Sequence, residues 1–556
     1  MRIFTFIIIT FLIISCKNSE TKTNPKATEA KVLTSDVADS VQVTEDTSKD
    51  FREFKVLDSK HIIASELWEF FNKDLEGFTE DHYNSLKPLV LEQDIKTLQK
   101  HIRDGKLSYE QLTKFYLFRI RKFDRKNSLS LNSVIALNPN VIAEAKQKDI
   151  DLKNRMQKHA IFGIPIFLKD NINASGMPTT AGAIVLKDNN TEDAFVVAKL
   201  KNQGALILGK ANLSEWANFF CDGCPNGFSN LGGQTLNPYG RRVFDTGGSS
   251  SGSAVVVASN FCVAAVGSET SGSILSPSSQ NSAVGLKPTI GLLSRGGIVP
   301  ISSTLDTPGP IAKNVSDTAI VLDAMFGQDT KDEKSIYAIW ETGFYTKELS
   351  ENGVKGKRFG AYKSLMEDAL YVDAISILKE QGAEIVEIEG SDLDFSKFLT
   401  LLNLDMRKDL PAYLKKYADV SVKVFSIQDV IDFNLKDTLN RAIYGQDLFK
   451  GIVADKGTNE ELEAIIETMR ANGKAYFDEP MEKHQLDGVL SINNYHAGYA
   501  AVAEYPAITI PMGYKDNGEP EGLTIIGVRL QEKFLLQWAY AYEQASKKRV
   551  APENYN

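Results

Sequence analysis

Two loops rich in glycine and serine constrain this chain more than any other feature of its sequence. The first loop, residues 246–254, runs directly into a short apolar run at 255–258, and the second, residues 267–274, follows soon after. A flexible linker does not usually continue straight into a buried helix or strand. The first loop also lacks the lysine that a P-loop places before its final Ser or Thr. The two loops therefore predict a site where backbone N–H groups and hydroxyls gather.

Apolar runs alternate with helical patterns along much of the remaining chain. Residues 161–168 and 205–209 are predicted to be buried strands, and residues 358–388 a strand, a helix and a strand. Helical spacing over 91–123, with an S-x-x-Q capping signal at Ser108, predicts two helices. Repeated strand–helix–strand units predict an α/β fold, a large mixed, mainly parallel β-sheet covered by helices on both faces.

Length and composition favour one large domain. The 556 residues are 43% hydrophobic, enough to bury a large core. We predict a single domain over 61–556, with a charged helical insertion near 393–484 that borders the substrate site. The net charge of -9 and the absence of a Lys/Arg-rich stripe exclude nucleic-acid binding.

The N-terminus has the pattern of an export signal. The unbroken apolar run at 3–14 is too short to span a bilayer and fits the h-region of a signal peptide. It ends in LIISC, residues 12–16, which resembles a bacterial lipobox. Residues 1–16 are therefore predicted to be a lipoprotein signal, with Cys16 the lipid-modified first residue of the mature chain. An ordinary secretory signal is the alternative.

Residues 17–60 are predicted to be a flexible tether. Their first part is rich in Ser, Thr, Lys, Glu and Asp and cannot bury enough apolar surface to offset its ordering entropy. We therefore expect an exported bacterial lipoprotein at the periplasm-facing or outer surface of a membrane. Its contact with the membrane would be through the lipid alone.

Three other cysteines lie within the domain. Cys221 and Cys224 form a C-x-x-C, which in an exported chain is either a disulfide or two free thiols, and Cys262 stands alone. Zinc is disfavoured, because no second Cys or His pair lies nearby at ligand spacing. A catalytic redox role is the least favoured interpretation. We predict no metal and no cofactor.

Three motifs occur in order around the two loops. Residues 163–171 read GIPIFLKDN, residues 247–253 read GGSSSGS, and residues 267–274 read GSETSGSI. They resemble the G-I-P-x-x-x-K-D-N, GGSSGGS and G-T-D-x-G-G-S-I motifs of the amidase signature family. Further segments that resemble this family are 285–289, 306–310 and 504–511.

The resemblance implies a role for each polar residue of these motifs. Ser273 is the expected nucleophile, Ser249 a bridging serine that follows a cis peptide bond, and Lys169 the base. An oxyanion hole is expected from the backbone N–H groups of Thr270, Ser271, Gly272 and Ser273.

Physical chemistry supports a lysine base independently of the resemblance. A serine hydroxyl is a weak nucleophile until a neighbour takes its proton, and neither loop contains a histidine. A lysine can serve if its pKa falls from about 10.4 to near 7 or 8, a shift worth on the order of 4 kcal/mol. Lys169 follows an apolar run, which would place it at a buried strand end.

Three positions depart from the family pattern. Leu275 stands where the family often has arginine, Glu269 where aspartate is usual, and Ser271 where glycine is usual. The missing arginine and the export signal weaken assignment to the subunit that acts on glutamyl-tRNA. They bring the sequence nearer to bacterial peptide amidases and stand-alone amidases.

The predicted function is that of an exported, lipid-anchored amidase. It would hydrolyse the carboxamide of peptide C-termini or of small amides through a Ser273 acyl-enzyme, releasing ammonia or an amine, without an obligate partner. One alternative is a catalytically silent, surface-tethered binding protein. The other is a hydrolase of lipid amides, for which we see no strongly amphipathic membrane-entry helix.

Overall fold

The computed structural model describes residues 54–125, 127–337 and 341–555, which all belong to one unit, Thr47–Asn556. Cys16 and the part of the predicted tether before residue 54 lie outside the described residues. The strands are β1 (Val134–Leu137), β2 (Pro165–Lys169), β3 (Leu206–Ala211), β4 (Phe228–Ser229), β5 (Gly233–Gln234), β6 (Ala264–Glu269), β7 (Val284–Lys287), β8 (Thr307–Ala312), β9 (Arg358–Tyr362), β10 (Glu384–Ile388), β11 (Gly488–Ile492), β12 (Ala507–Tyr514) and β13 (Pro520–Ile526).

Helices connect and cover these strands. They are α1 (Ala64–Glu69), α2 (Asn72–Leu75), α3 (Glu80–Val90), α4 (Ile95–Arg103), α5 (Tyr109–Phe123), α6 (Val141–Lys153), α7 (Phe195–Asn202), α8 (Ser251–Ala258), α9 (Leu275–Gln280), α10 (Val315–Met325), α11 (Ala369–Glu380), α12 (Phe398–Tyr417), α13 (Ile427–Leu435), α14 (Thr438–Arg441), α15 (Asp447–Ala454), α16 (Asn459–His484), α17 (Ala497–Val502) and α18 (Glu532–Ser546).

One large mixed sheet organises the domain, in the order β1-β3-β2-β6-β8-β7-β12-β13-β11-β9-β10. Every residue of β2, β3, β6 and β11 is buried. Since successive side chains of a strand point to opposite faces, both faces of the sheet are covered. The predicted α/β fold with a large mixed sheet is confirmed.

Parallel pairing is confined to two groups of strands. The β3-β2-β6 group and the β11-β9-β10 group are parallel, whereas the other neighbouring pairs are antiparallel. The predicted predominance of parallel strands therefore holds only within these groups, where helices connect successive strands. Between them lies the antiparallel hairpin of β12 and β13, which joins the two halves of the sheet.

The two helices predicted over 91–123 are α4 and α5, whereas the helices α1 to α3 before them were not predicted. At the start of α5 the Ser108 hydroxyl accepts from the Gln111 N–H, and the Gln111 side chain accepts from the Ser108 N–H, completing a capping box. Residues 54–60, the last part of the predicted tether, contact the domain. For example, the Ser59 hydroxyl donates to the Leu231 carbonyl (2.5 Å). These contacts fix the end of the predicted tether to the domain surface.

The segment near 393–484 is helical, with α12 to α16 and no strand. Its apolar side chains form a second core around Leu401, Leu410 and Phe449, separate from the core of the sheet. In the part of the chain that the structure describes, no helix is both long and apolar enough to cross a membrane.

Candidate active site

The site forms at one edge of the sheet, where two parallel strands end. β2 ends at Lys169 and β6 ends at Glu269, and the two strands pair in parallel through Leu168 and Val266. The carboxyl ends of neighbouring parallel strands meet at the same edge, where α/β folds commonly place their sites. Lys169 is thereby brought beside the second glycine- and serine-rich loop, as the strand-end position predicts.

The Lys169 amine is fully buried and has three close polar neighbours. Its Nζ lies 2.7 Å from the Ser249 hydroxyl, 3.0 Å from the Ser268 carbonyl oxygen and 2.9 Å from the Ser268 hydroxyl. A neutral amine has two N–H donors and one lone pair. If both donors bind the two Ser268 oxygens, the lone pair faces Ser249 and can accept its proton.

Burial makes the neutral form of this lysine accessible. Desolvation lowers the pKa of Lys169 to about 7, against the opposing effect of the Asp306 and Glu269 carboxylates. A lysine with an ordinary pKa near 10.5 would be protonated at neutral pH and could not act as a base. Here the amine is half deprotonated near pH 7, as general-base catalysis requires.

Ser249 is positioned by its backbone. The Gly248–Ser249 peptide bond is cis, the geometry that the resemblance implies. The Ser249 carbonyl accepts from the Ser214 N–H (3.1 Å), and a Cβ on Gly248 would lie 2.7 Å from the Ser214 hydroxyl. A larger residue at position 248 would therefore have to displace the Ser214 side chain.

The two loops meet directly. The Ser250 N–H donates to the Ser273 carbonyl oxygen (3.1 Å), which places Ser249 and Ser273 on touching segments. Ser273 is 8% exposed. Lys169 thus contacts Ser249 directly, and Ser273 lies on the segment that touches the Ser249 loop, although 104 residues separate Lys169 from Ser273.

One of the four predicted oxyanion donors is already in use. The Glu269 carboxylate accepts the N–H of Gly272 (2.7 Å), and also those of Ile274 (2.7 Å) and Leu275 (3.0 Å). Gly272 is therefore corrected from an oxyanion donor to a residue that anchors the loop. The N–H groups of Thr270, Ser271 and Ser273 remain as the predicted hole.

The altered positions now have structural roles. Glu269 uses both carboxylate oxygens to shape the nucleophile loop, which we define as residues 270–274. Leu275 is fully buried in an apolar cluster with Tyr362 and Phe477, so an arginine there would lack space and solvent. Ser271 is partly exposed and can face a ligand.

A cavity of about 380 Å³ lies beside Ser268, whose oxygens contact Lys169. Asn171, Ser268 and Thr270 line it together with Tyr413 of α12, so the helical insertion borders this cavity, whereas Lys169, Ser249 and Ser273 are not among its lining residues. The Asn171 amide donates to the Ser268 hydroxyl (2.9 Å). Neither Ser268 nor Asn171 was predicted to act in the site, although both lie within the family-like motifs.

The remaining cysteines are accounted for. Cys221 and Cys224 form a disulfide with a Cα–Cα distance of 5.7 Å, which settles the alternatives left open by their spacing. Cys262 is buried, and desolvation raises the pKa of its thiol. Among the described residues, no cluster of His, Cys, Asp or Glu is arranged to hold a metal ion.

Fold and site together define an α/β-class protein with a large mixed sheet, in which a buried lysine, rather than a histidine, faces a serine hydroxyl. The Amidase family model matches residues 111–491. A probable amidase of Arabidopsis thaliana is 35% identical over 480 residues, which cover 84% of this chain and 92% of that protein. The chain belongs to the amidase signature family and is an amidase, a hydrolase of C–N bonds in amides.

Solved structures agree with this assignment. An amidase family protein from Bacillus anthracis str. Ames is 39% identical with a TM-score of 0.84, covering 89% of this chain and 100% of that one. The native peptide amidase from Stenotrophomonas maltophilia is 36% identical with a TM-score of 0.79, covering 83% of this chain and 99% of that one.

Proposed function

We propose that this amidase hydrolyses primary carboxamides of peptides or small acyl groups through a Ser273 acyl-enzyme. The observation that carries the proposal is the 2.7 Å contact between Lys169 and Ser249, made by an amine whose pKa burial lowers to about 7. The contact gives the serine pair a base that is half deprotonated near pH 7.

The proposed reaction moves one proton along the triad and back. Ser273 Oγ attacks the amide carbon while its proton passes to Ser249 and the proton of Ser249 passes to Lys169. The N–H groups of Thr270, Ser271 and Ser273 stabilise the oxyanion. One proton then passes back from Lys169 through Ser249 to the leaving nitrogen, which departs as ammonia, and water hydrolyses the ester by the same relay.

Similarity to a peptide amidase supports the substrate class. Because 99% of the solved peptide amidase is covered at 36% identity, a related reaction on peptide C-terminal amides is the favoured proposal. Hydrolysis of long-chain lipid amides is less favoured, because α16, the longest helix described, has a charged surface and an apolar stripe that packs internally.

Ammonia release from a panel of amides tests the proposed function. We expect N-acetyl amino-acid amides and peptide C-terminal amides to be hydrolysed, with kcat/KM at least about tenfold above that for a long-chain fatty acid amide. Enzyme-coupled detection of ammonia gives the rates. A higher kcat/KM for the fatty acid amide would replace the peptide-amide proposal by the lipid-amide alternative.

We also propose that the chain is anchored by a lipid on Cys16, on the strength of the apolar run and the lipobox-like LIISC. Cys16→Ala is expected to move the protein from the membrane fraction to the soluble or unprocessed fraction. Detergent partitioning followed by immunoblotting measures this shift. Buried Cys262→Ala serves as the cysteine control and should stay with the membrane. Equal partitioning of wild type and Cys16→Ala would contradict the anchor.

A further inference from the structure

An aromatic wall stands at the border of the helical insertion. We define it as Phe395, Tyr476, His496 and Tyr499. The Tyr499 ring stacks on Tyr476 with centroids 3.9 Å apart and an interplanar angle of 8°, and its centroid lies 4.6 Å from that of Phe395. His496 lies 5.8 Å from Tyr476. The four rings therefore form one continuous aromatic cluster.

This wall adjoins the nucleophile loop. A Cβ on Gly498 would lie 3.3 Å from the Phe395 ring and 3.7 Å from the Ser271 hydroxyl. The Phe395 ring and the Ser271 hydroxyl therefore both lie next to Gly498. A Cβ on Gly272 would lie 2.5 Å from the Asn494 side chain. The segment 494–499 therefore packs directly on the loop that carries Ser273.

The outer and inner parts of the wall differ in exposure. Phe395 and Tyr499 are partly exposed, like Ser271 beside them, whereas Tyr476 is 5% exposed. The inner side is fixed, since His496 stacks on another buried tyrosine at 4.2 Å and its Nδ1 lies 2.6 Å from the Ser491 hydroxyl. A rigid aromatic surface with an open outer edge can bind an apolar group with little ordering cost.

We infer that Phe395 and Tyr499 receive an aromatic side chain on the acyl side of the scissile amide. A primary carboxamide loses only ammonia, so the acyl side carries the groups that the enzyme can recognise. The wall borders Ser271, two residues before the nucleophile, and aromatic rings favour other rings in stacked or edge contacts. The preferred substrate is therefore an amide whose carbonyl belongs to an aromatic amino acid. This inference rests on the proposed function.

Paired substrates test the inference. Wild-type enzyme should hydrolyse N-acetyl-phenylalaninamide with kcat/KM at least about tenfold above that for N-acetyl-alaninamide. Phe395→Ala with Tyr499→Ala should remove most of this preference by lowering kcat/KM for the phenylalanine amide, while the alanine amide changes by less than about twofold. Phe395→Leu with Tyr499→Phe should recover part of the preference.

A matched control separates this effect from damage to the fold. Phe425→Ala removes an aromatic ring of the same insertion that is 64% exposed and should leave both rates unchanged. Labelling of Ser273 by a serine-directed fluorophosphonate reports whether each variant keeps its site. Equal wild-type rates on the two amides, or equal loss of both in the double variant, would overturn the inference and leave the proposed function standing. Failure of wild type on every amide would overturn both.

Discussion

Ser273→Ala is expected to abolish amide hydrolysis, lowering kcat by at least about 10⁴-fold, because the attacking oxygen is gone. Labelling by a serine-directed fluorophosphonate should be lost as well. The fold should be retained, since the Ser273 contact with Ser250 is made by a backbone carbonyl that alanine keeps. Ammonia release and intact-protein mass spectrometry measure the two effects.

A neighbouring serine provides the control for this variant. Ser276 lies three residues further along, is 7% exposed and has no role in the proposed reaction. Ser276→Ala should therefore keep both turnover and labelling. If Ser273→Ala retained wild-type activity on an amide, the triad assignment would fail and the reaction would need another nucleophile.

Lys169→Ala is expected to lower kcat by about 10²- to 10⁴-fold, the usual contribution of a general base. The wild-type rate should rise about tenfold per pH unit below pH 7 and level off above it, because only the neutral amine accepts a proton and its pKa is about 7. In the variant this rise should vanish, and high pH should not restore the rate. A pH profile of kcat/KM over pH 5–9 that was identical in both proteins would contradict the base assignment.

Stability provides an independent measure of the same group. The folded pKa of Lys169 is about 7, well below its ordinary value of 10.5, so the unfolded state binds more protons between these values. The resulting penalty, roughly 5 kcal/mol, is full below pH 7 and is relieved as the pH rises toward 10.5. Lys169→Met keeps a long, unbranched side chain but removes its charge. It should therefore be inactive yet folded, with a Tm at pH 6 no lower than that of wild type.

The sequence predicted helix caps and buried strand ends, because these features depend on residues that are close together along the chain. Two examples are the capping box of Ser108 and Gln111 and the apolar run that ends at Lys169. The run after the first loop could have been helix or strand. It is α8, whose residues are all buried and leave no periodic pattern to distinguish the two.

Contacts between segments that are far apart in the sequence could not be predicted in this way. Nothing local indicates that Glu269 accepts the Gly272 N–H, because the result depends on how the loop folds back on the end of β6. The packing of 494–499 on the nucleophile loop joins segments more than 200 residues apart. For the same reason the sequence identified the parallel units but not the antiparallel strands between them.

The hairpin of β12 and β13 has a consequence for synthesis of the chain. It occupies the middle of the sheet, yet it is among the last strands to be made, at Ala507–Tyr514 and Pro520–Ile526. Until it emerges, β7 and β11 each present an unpaired edge, and the pairing that closes the sheet spans more than 200 residues. Such pairing is slow and leaves partly folded chains prone to aggregation, so folding should be completed after synthesis ends and should benefit from chaperones.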